Sequence, residues 1–243
     1  MFTPESQFNV EVCFSPALYP SFHKAEAIVL VTDILRASSA ICTAFMNGVE
    51  KIIPVETLEE AREYKSKGYL VAAERDGFVM DFADFGNSPF NFSAETVRNK
   101  TIVYSTTNGT QAIHLATGTQ RVIIGSFLNL TASCNWLKSQ NKNVIILCAG
   151  WKSKFNLEDS LHAGAVVEQM LQDSRFNTIC DSANASLDLW KLAKSDLLKY
   201  IEKTAQRNRL RKNKLDDVIE YCLTPDITDI IPVLENNYLT YLK

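Results

Sequence analysis

Four polar side chains stand between two apolar segments near the start of the chain. AIVLV at 27–31 has the composition of a buried strand, and TDILRASSA at 32–40 follows it with Asp33, Arg36, Ser38 and Ser39. In an open α/β sheet, ligands bind beyond the carboxyl ends of the strands, where helix N-termini present free N–H groups. An arginine there can hold phosphate oxygens through charge-assisted hydrogen bonds. We therefore predict an anion site in which Asp33 and Arg36 are catalytic and Ser38 and Ser39 bind substrate.

A purely structural explanation of this joint is helix capping. Asp33 or Ser38 could cap the following helix, and such a cap stabilises a helix by about 1 kcal/mol. A cap requires neither the arginine nor the second serine. The composition of the whole joint therefore favours a functional interpretation.

A second hydroxyl-rich turn, STTNGT at 105–110, also follows an apolar segment and precedes a helical pattern. Its polar groups and flexible Asn-Gly pair suit a cradle for an anion, although the same residue types are common in ordinary turns and caps. The predicted substrate-binding residues of this turn are Thr106, Thr107, Asn108, Gly109 and Thr110.

Carboxylates near further strand ends predict a metal site. Glu74 and Arg75 follow an apolar strand, Asp84 lies in the long loop 74–93, and Asp159 follows the segment VIILCAG. Carboxylates without histidine or thiolate neighbours suit a hard cation, and Mg²⁺ is commonly bound through a few carboxylates and several waters. We predict Arg75 as a third catalytic residue. The predicted magnesium ligands are Asp33, Glu74, Asp84 and Asp159.

Each of these later positions also has an ordinary structural explanation. Asn156 as an N-cap with Asp159 in the first turn is normal chemistry at the start of a helix. Asp84 could belong to a plain surface turn. Lys152 and Lys154 could reach an anionic substrate or simply be solvated, and His162 is expected to pack rather than react.

Composition excludes several other classes of protein. The formal net charge of −3 gives no global field that would attract nucleic acid or a membrane. The sequence has no P-loop, no dinucleotide-binding glycine motif, no nucleophile elbow and no HExxH zinc motif. We interpret the six cysteines as reduced core thiols and the basic stretch 199–213 as a solvated helix face. Neither a signal peptide nor a spanning segment is evident, so we expect a cytoplasmic protein.

The alternation of strand and helix patterns predicts an α/β fold with a mostly parallel or mixed sheet, flanking helices and a helical C-terminal portion. Strands are predicted at 9–14, 27–32, 50–55, 69–73, 100–104, 120–124 and 143–148, with a returning strand near 229–234. Helices are predicted at 37–47, 57–66, 109–116, 128–139, 157–171, 183–193, 195–210 and 214–223. We expect one unit over 1–243, with a division into subdomains of about 1–175 and 176–243 as the alternative.

Five blocks in order resemble the 2-phosphosulfolactate phosphatase family, the ComB-like proteins. The blocks are DILRASSA, ER followed by FGNSP, TTNGT, GSFLN, and CAG followed by FNLED and AG. The resemblance implies the α/β fold of that family and a magnesium-dependent phosphatase. The implied reaction converts 2-phospho-3-sulfolactate to sulfolactate and phosphate in the route to coenzyme M. This chain departs from the family pattern at AAERDG and at Gln206–Arg209.

Together these observations predict one pocket in which carboxylates bind Mg²⁺ while Arg36, Arg75 and the turn 105–110 bind an anionic, phosphorylated substrate. Asp33 is either a metal ligand or a covalent nucleophile, and the sequence leaves both roles open. Two alternatives are a phosphatase of another small phospho-hydroxy acid and a non-catalytic protein that binds anions. We expect neither nucleic acid nor membrane as a partner, and a homodimer stays open.

Overall fold

The computed structural model describes residues 7–242 and confirms an α/β architecture. Eleven strands form one mixed sheet within that range. Every predicted strand is present within a few residues of its expected bounds. The strands are β1 (Phe8–Cys13), β2 (Ile28–Thr32), β3 (Lys51–Pro54), β4 (Leu70–Arg75), β5 (Phe78–Val79), β6 (Thr101–Ser105), β7 (Arg121–Ile124), β8 (Val144–Cys148), β9 (Phe176–Asn177), β10 (Pro232–Glu235) and β11 (Tyr238–Tyr241).

Helices flank the sheet and dominate the chain after β9. They are α1 (Ala37–Met46), α2 (Leu58–Ser66), α3 (Ala94–Val97), α4 (Gly109–Leu115), α5 (Leu130–Gln140), α6 (Leu157–Met170), α7 (Asp181–Ala193), α8 (Leu197–Ile201), α9 (Ala205–Lys212) and α10 (Ile219–Leu223). The predicted helix 195–210 is divided into α8 and α9. Thr204 causes the division because its side chain accepts a hydrogen bond from the Arg207 N–H and caps a new helix.

The sheet consists of two parallel sets joined by a hairpin. A five-strand set has the order β9-β1-β8-β2-β7, and a three-strand set has the order β3-β6-β4 with β5 on its edge. The hairpin β10-β11 lies between them and is antiparallel to both β7 and β3. The two sets therefore run in opposite directions along the hydrogen-bond ladder.

The returning strand predicted near 229–234 is one arm of this hairpin, and the other arm, β11, was not predicted. Asn236 and Asn237 form the two-residue turn with φ values of 48° and 71°. Asparagine tolerates positive φ, and two such residues are typical of a tight hairpin turn. The sequence PVLE-NN-YLTY therefore contained a usable hairpin signal.

Helices α1 and α4 pack between the two sets of strands. One apolar cluster includes Val31 of β2, Ile41 of α1, Ile52 of β3, Ile102 of β6 and Ile113 of α4. Helix α1 follows β2 of the five-strand set and α4 follows β6 of the three-strand set, so this cluster links the two sets.

The C-terminal helices pack on the other face of the five-strand set. Leu30 of β2, Leu161 of α6, Leu210 of α9 and Ile219 of α10 belong to a second apolar cluster. The C-terminal helices thus bury their apolar faces against the sheet instead of forming a core of their own. None of the helices found between residues 7 and 242 is long and apolar enough to cross a membrane.

The hairpin makes a prediction about stability. Leu239 is fully buried in β11 and pairs with Ile52 of β3. We expect Leu239→Ala to lower the free energy of unfolding by about 2–5 kcal/mol, because it removes buried methyl groups at the junction of the two sets. Urea unfolding followed by circular dichroism measures the change. Leu192→Ala is the control, since Leu192 is 70% exposed, and an equal small effect of both substitutions would contradict this role of the hairpin.

Candidate active site

The joint between β2 and α1 is buried and is held in shape by its own serines. The Asp33 N–H donates to Ser38 Oγ at 2.8 Å, and Ser39 Oγ donates to the Ile34 carbonyl at 2.9 Å. The Ala37 N–H donates to Asp33 Oδ1 at 3.3 Å, whereas Asp33 Oδ2 makes no hydrogen bond to any residue between 7 and 242. Ser38 and Ser39 were predicted to bind substrate, and in the structure they bind the backbone of the joint.

Arg36 is buried beside Asp33 and is oriented by a residue that the sequence analysis did not select. Its Nη2 donates to Asn87 Oδ1 at 2.7 Å. Asn87 is itself buried and belongs to the segment FGNSP, so this segment brings an amide to the arginine. The guanidinium is thereby fixed in place before any ligand binds.

Glu74, at the end of β4, connects two loops of the three-strand set. The Thr107 N–H donates to Glu74 Oε1 and the Gly77 N–H donates to Oε2, both at 2.7 Å. The Thr107 hydroxyl adds a bond to Oε1 at 3.1 Å. Both oxygens of Glu74, a predicted metal ligand, therefore already accept hydrogen bonds from the protein.

The turn 105–110 lies against the β2-α1 joint at very short range. Thr106 and Thr110 exchange hydrogen bonds between their backbone N–H groups and hydroxyls, each at 3.2 Å. A Cβ atom on Gly109 would lie 2.7 Å from the Ala37 Cβ and 3.0 Å from Asp33 Oδ2. Glycine is needed here because any side chain would collide with the joint. This contact brings the two predicted anion-binding turns together.

Asp159 connects the end of β8 to the same joint. Its Oδ1 accepts from the Ile34 N–H at 2.8 Å, and its Oδ2 accepts from the Gly150 N–H at 3.1 Å and from Asn156 Nδ2 at 2.9 Å. Three donors offset the cost of burying this carboxylate. Asp159 therefore holds three segments together rather than presenting free oxygens.

Arg75 is bonded to Ser105 at the edge of this cluster and lies outside the cavity described below. Arg75 Nη1 donates to the Glu74 carbonyl at 2.7 Å, and Nη2 donates to Ser105 Oγ at 3.0 Å and to the Glu56 carbonyl at 3.1 Å. Successive side chains of a strand point to opposite faces, so the neighbours Glu74 and Arg75 cannot share one pocket wall. Arg75 was predicted as catalytic, but its guanidinium does not line the cavity described below.

Asp84 is bound near the opposite end of β4. Its Oδ1 accepts from Lys65 Nζ at 2.6 Å and its Oδ2 accepts from the Val71 N–H at 2.8 Å. Val71 precedes Glu74 by three residues, which is about 10 Å along a strand. Partial burial opposes ionisation, but the bonds from Lys65 and Val71 outweigh it and hold the pKa of Asp84 below its usual value. The structure thus does not bring this predicted metal ligand to the cluster.

Polar side chains from both sets of strands line one small cavity. Its volume is about 20 Å³, which is room for about one water molecule. The polar lining consists of Asp33, Arg36, Glu74, Asn87, Asn108 and Gln206. A wider groove of about 480 Å³ lies next to it and shares Trp151 and Gln206 with it. We take the small cavity as the reaction centre and the groove as its approach.

The groove contains Lys154, which the sequence analysis left as either a substrate contact or a solvated side chain, and two residues that it assigned to a solvated helix face. Lys154 and Glu158 come from the loop and helix after β8, whereas Gln206 and Arg209 come from α9. Gln206 and Arg209 lie inside the basic stretch that we interpreted as a solvated face. The interpretation as a solvated face is correct for Arg207 and Arg211, which both pair with Glu202. It is wrong for Arg209, which lies two residues from each of them, on a different face of the helix, and lines the groove.

Three buried carboxyl groups give the site an unusual charge balance. Burial, followed by the Asp159 carboxylate, raises the pKa of Asp33 well above its usual value. Burial also raises the pKa of Glu158 to about 7. The pKa of Asp159 rises to about 7 as well, because the group is buried and because the Glu158 carboxylate is adjacent. Arg36 and Arg209 oppose these shifts for Asp33 and Glu158 respectively. A bound cation would therefore relieve repulsion among these groups.

His162 lies below the site but takes no part in this charge balance. Its Nδ1 is 2.9 Å from Thr32 Oγ1, and its ring packs edge-on against Phe127 with centroids 5.1 Å apart. Burial lowers the pKa of His162 to about 3, so the imidazole is neutral. The structure agrees with the expectation that this histidine packs in the core.

The described residues do not form a cage for a metal. Within 7–242, no group of three or more His, Cys, Asp or Glu side chains is arranged to hold a metal ion. Mg²⁺ nevertheless often binds through one or two carboxylates plus substrate phosphate oxygens and water. Asp33 has one oxygen without a hydrogen bond to any described residue, and Glu158 accepts hydrogen bonds only from the backbone N–H groups of Leu157 and Glu158 within that range. These two carboxyls fit such a site, whereas the full predicted set does not.

Comparisons with known proteins identify the family of this chain. Residues 13–237 match the family model described as 2-phosphosulpholactate phosphatase. This chain belongs to the 2-phosphosulfolactate phosphatase family. The members of this family are phosphatases, that is, phosphoric monoester hydrolases.

Curated relatives of this family cover most of the chain. A probable 2-phosphosulfolactate phosphatase of Caldanaerobacter subterraneus is 36% identical over 215 residues, which is 87% of this chain and 89% of the relative. Proteins of the same name from Thermotoga maritima and Clostridium botulinum are 37% and 32% identical. The Thermotoga match covers 85% of this chain and 88% of the relative, and the Clostridium match covers 89% and 92%.

The close approach of the two turns predicts a sensitive position. We expect Gly109→Ala to lower phosphatase activity by at least about tenfold, because the new Cβ would push Ala37 and Asp33 out of place. Steady-state kinetics on a phosphate monoester measures the effect. Adding Ala37→Gly removes the atom nearest to the new Cβ, so the double variant should recover part of the loss. Full activity of Gly109→Ala would contradict the proposed contact.

The buried carboxyls predict how stability depends on pH. The ordinary pKa values are 4.5 for Glu158 and 3.8 for Asp159, and both rise to about 7 on folding. Between about pH 4 and 7 the folded state therefore binds more protons than the unfolded state, so these groups make stability fall as pH rises. Glu158→Gln should flatten that fall in urea unfolding without divalent cations, whereas Glu63→Gln, at an exposed site, should not. Parallel pH curves for wild type and Glu158→Gln would disprove the assignment.

Proposed function

We propose that this protein hydrolyses 2-phospho-3-sulfolactate to sulfolactate and phosphate in the presence of Mg²⁺, as a step toward coenzyme M. The observation that carries the proposal is the buried pair Asp33 and Arg36 facing one cavity. Family membership and the names of the relatives supply the reaction and substrate. The geometry suggests how this chain would carry the reaction out.

Arg36 is the group best placed to bind the phosphoryl oxygens. It is a fixed cation in a nearly dry cavity, where hydrogen bonds to an anion are stronger than in water. Asn87 holds the guanidinium through Nη2, which leaves other N–H groups available. Preorganised positive charge of this kind stabilises the charge that spreads over the phosphoryl oxygens as the ester bond breaks.

Mg²⁺ would be held by Asp33, with Glu158 as the second carboxyl, and by oxygens of the substrate. When bound there, the ion would act as a Lewis acid on the phosphoryl group. This assignment replaces the four-carboxylate set of the sequence analysis. Both oxygens of Glu74 and of Asp159 already accept hydrogen bonds from backbone N–H groups or side chains. Asp84 instead accepts hydrogen bonds from Lys65 of α2 and Val71 of β4.

Asp33 also fits the second role that the sequence left open. As a nucleophile, its free Oδ2 would attack phosphorus, the ester oxygen would leave and take a proton, and water would then hydrolyse the acyl phosphate. As a metal ligand, it would leave the attack on phosphorus to water. Borohydride trapping separates these roles, because reduction of an acyl phosphate would convert Asp33 to homoserine, which mass spectrometry detects.

The activity itself is tested with two substitutions. We expect Asp33→Asn and Arg36→Ala each to lower kcat/KM for 2-phospho-3-sulfolactate by about 10³-fold or more with Mg²⁺ present, because each removes a charge that the transition state requires. Phosphate release gives the rates, and chelation of divalent cations should abolish wild-type turnover. Asp188→Asn and Arg121→Ala, both at exposed positions, should retain wild-type rates. Unchanged rates in Asp33→Asn and Arg36→Ala would exclude this mechanism.

The same assay distinguishes the alternative substrates. A panel of phosphorylated hydroxy acids would reveal a phosphatase of another small ester, and tight phosphate binding without turnover would reveal a non-catalytic protein. The panel is needed because this chain departs from the family pattern at AAERDG. Asp76 of that segment forms an ion pair with Lys152, with 2.7 Å between Oδ1 and Nζ, beside the site.

A further inference from the structure

Arg209 of α9 is a cation held in position with its terminal nitrogens unused. Its Cζ lies 4.1 Å above the Trp151 ring, and its Nε donates to Gln206 Oε1 at 2.8 Å. Neither Nη atom makes a hydrogen bond to any residue of the described range. The planar guanidinium thus has one face on an aromatic ring and two amino groups directed to a ligand-sized groove.

The aromatic platform beneath Arg209 is itself fixed. Trp151 and Lys154 exchange backbone hydrogen bonds of 2.9 and 3.0 Å across a two-residue turn. The Lys152 N–H in that turn donates to Asn108 Oδ1 at 2.8 Å, which ties the platform to the turn 105–110. Arg209 therefore rests on a surface that is bonded to the wall of the reaction cavity.

Gln206 fixes the position of Arg209 relative to Arg36. Its Nε2 donates to the Leu35 carbonyl at 2.9 Å while its Oε1 accepts from Arg209. Leu35 immediately precedes Arg36 in the β2-α1 joint. One buried amide thus connects the arginine of the groove to the arginine of the cavity, and the separation of the two guanidinium groups is set before substrate binds.

The remaining charges of the groove favour an anion. Lys154, Lys203 and Arg209 line it, against a single carboxyl from Glu158. Trp151 and Phe155 contribute apolar surface, which excludes water and strengthens charge recognition. A small anionic group next to a phosphate ester fits this environment better than a neutral or cationic one.

We infer that Arg209 binds the second anionic group of the substrate, a carboxylate or a sulfonate, and thereby selects phosphate esters that carry such a group. Arg209 acts here as a specificity residue, and Gln206 as the residue that positions it. This inference rests on the proposed phosphatase function and adds the part of the substrate that is not transferred. The forked geometry of arginine suits both oxyanions, so the test compares them.

The test measures kcat/KM on three phosphate esters with Mg²⁺. 2-Phospho-3-sulfolactate carries a carboxylate and a sulfonate, 2-phospholactate carries only a carboxylate, and isopropyl phosphate carries neither. Loss of a charge-assisted bidentate contact corresponds to a factor of about 10–100. We expect Arg209→Gln to lose that factor on the ester or esters whose anion it binds, mainly through KM, and to change isopropyl phosphate turnover by less than about threefold.

The pattern across the esters identifies the bound group. A loss on both 2-phospho-3-sulfolactate and 2-phospholactate assigns Arg209 to the carboxylate. A loss confined to 2-phospho-3-sulfolactate assigns it to the sulfonate. Arg211→Gln is the matched control on the same helix, because Arg211 pairs with Glu202 outside the groove, and it should leave all three rates unchanged. Equal losses of Arg209→Gln on all three esters, or no loss on any, would overturn the inference.

Two further measurements separate positioning from folding and from the proposed function. Gln206→Leu removes both hydrogen bonds, so it should raise KM for the same esters as Arg209→Gln more than it lowers their kcat, and circular dichroism should show an unchanged fold. Calorimetry with sulfolactate needs no turnover, and Arg209→Gln should weaken its binding by about tenfold or more. If sulfolactate binding depends on Arg209 but 2-phospho-3-sulfolactate is not hydrolysed, the proposed function is wrong and the inference stands. If sulfolactate binding does not depend on Arg209, the inference is wrong.

Discussion

The concentration of charge between the two sets of strands is the constraint on which the rest of this structure depends. Asp33, Arg36, Glu74 and Asp159 are all less than a tenth exposed. Burying an ion costs several kcal/mol unless hydrogen bonds or an opposite charge compensate. The protein compensates unevenly, since both oxygens of Glu74 and of Asp159 accept hydrogen bonds while Asp33 Oδ2 accepts none from residues 7–242. The incompletely satisfied group is the one best suited to act on a ligand.

The architecture follows from the need to bring these groups together. Asp33 follows β2 and Asp159 follows β8 of the five-strand set, whereas Glu74 and the turn 105–110 belong to the three-strand set. The hairpin β10-β11 joins the sets, and α1 and α4 pack between them. Gly109 allows the two turns to touch, and the C-terminal helices then supply the outer wall through Gln206 and Arg209. Residues more than 170 positions apart in sequence thus form one pocket.

Local patterns in the sequence predicted the elements well and their assembly less well. Apolar, β-branched runs such as AIVLV located every parallel strand of four or more residues among those described, since a fully buried strand needs that composition. The hairpin strand β11 was missed because it pairs with β10 and with β3, which is distant in sequence. Only the Asn-Asn turn indicated it. The two C-terminal helices α8 and α9 were merged because their shared polarity concealed the cap at Thr204.

The candidate site shows the same division. Residue types at strand ends pointed to Asp33, Arg36, Glu74 and Asp159, which the structure brings together around one cavity or its walls. Arg75 and Asp84 do not join them, because side-chain alternation along β4 and the ion pair with Lys65 are properties of the folded chain. Asn87 lies in the block FGNSP, and Gln206 and Arg209 lie in a segment that departs from the family pattern, but none was selected because its role depends on which face of a loop or helix meets the joint.

A crystal structure of the protein with Mg²⁺, inorganic phosphate and sulfolactate would test the central claim most directly. The account predicts phosphate within hydrogen-bond distance of Arg36, the metal on Asp33, and an enlarged cavity between the two turns. Phosphate and metal bound elsewhere, with no ligand on Arg36 or Asp33 and the cavity closed, would contradict it.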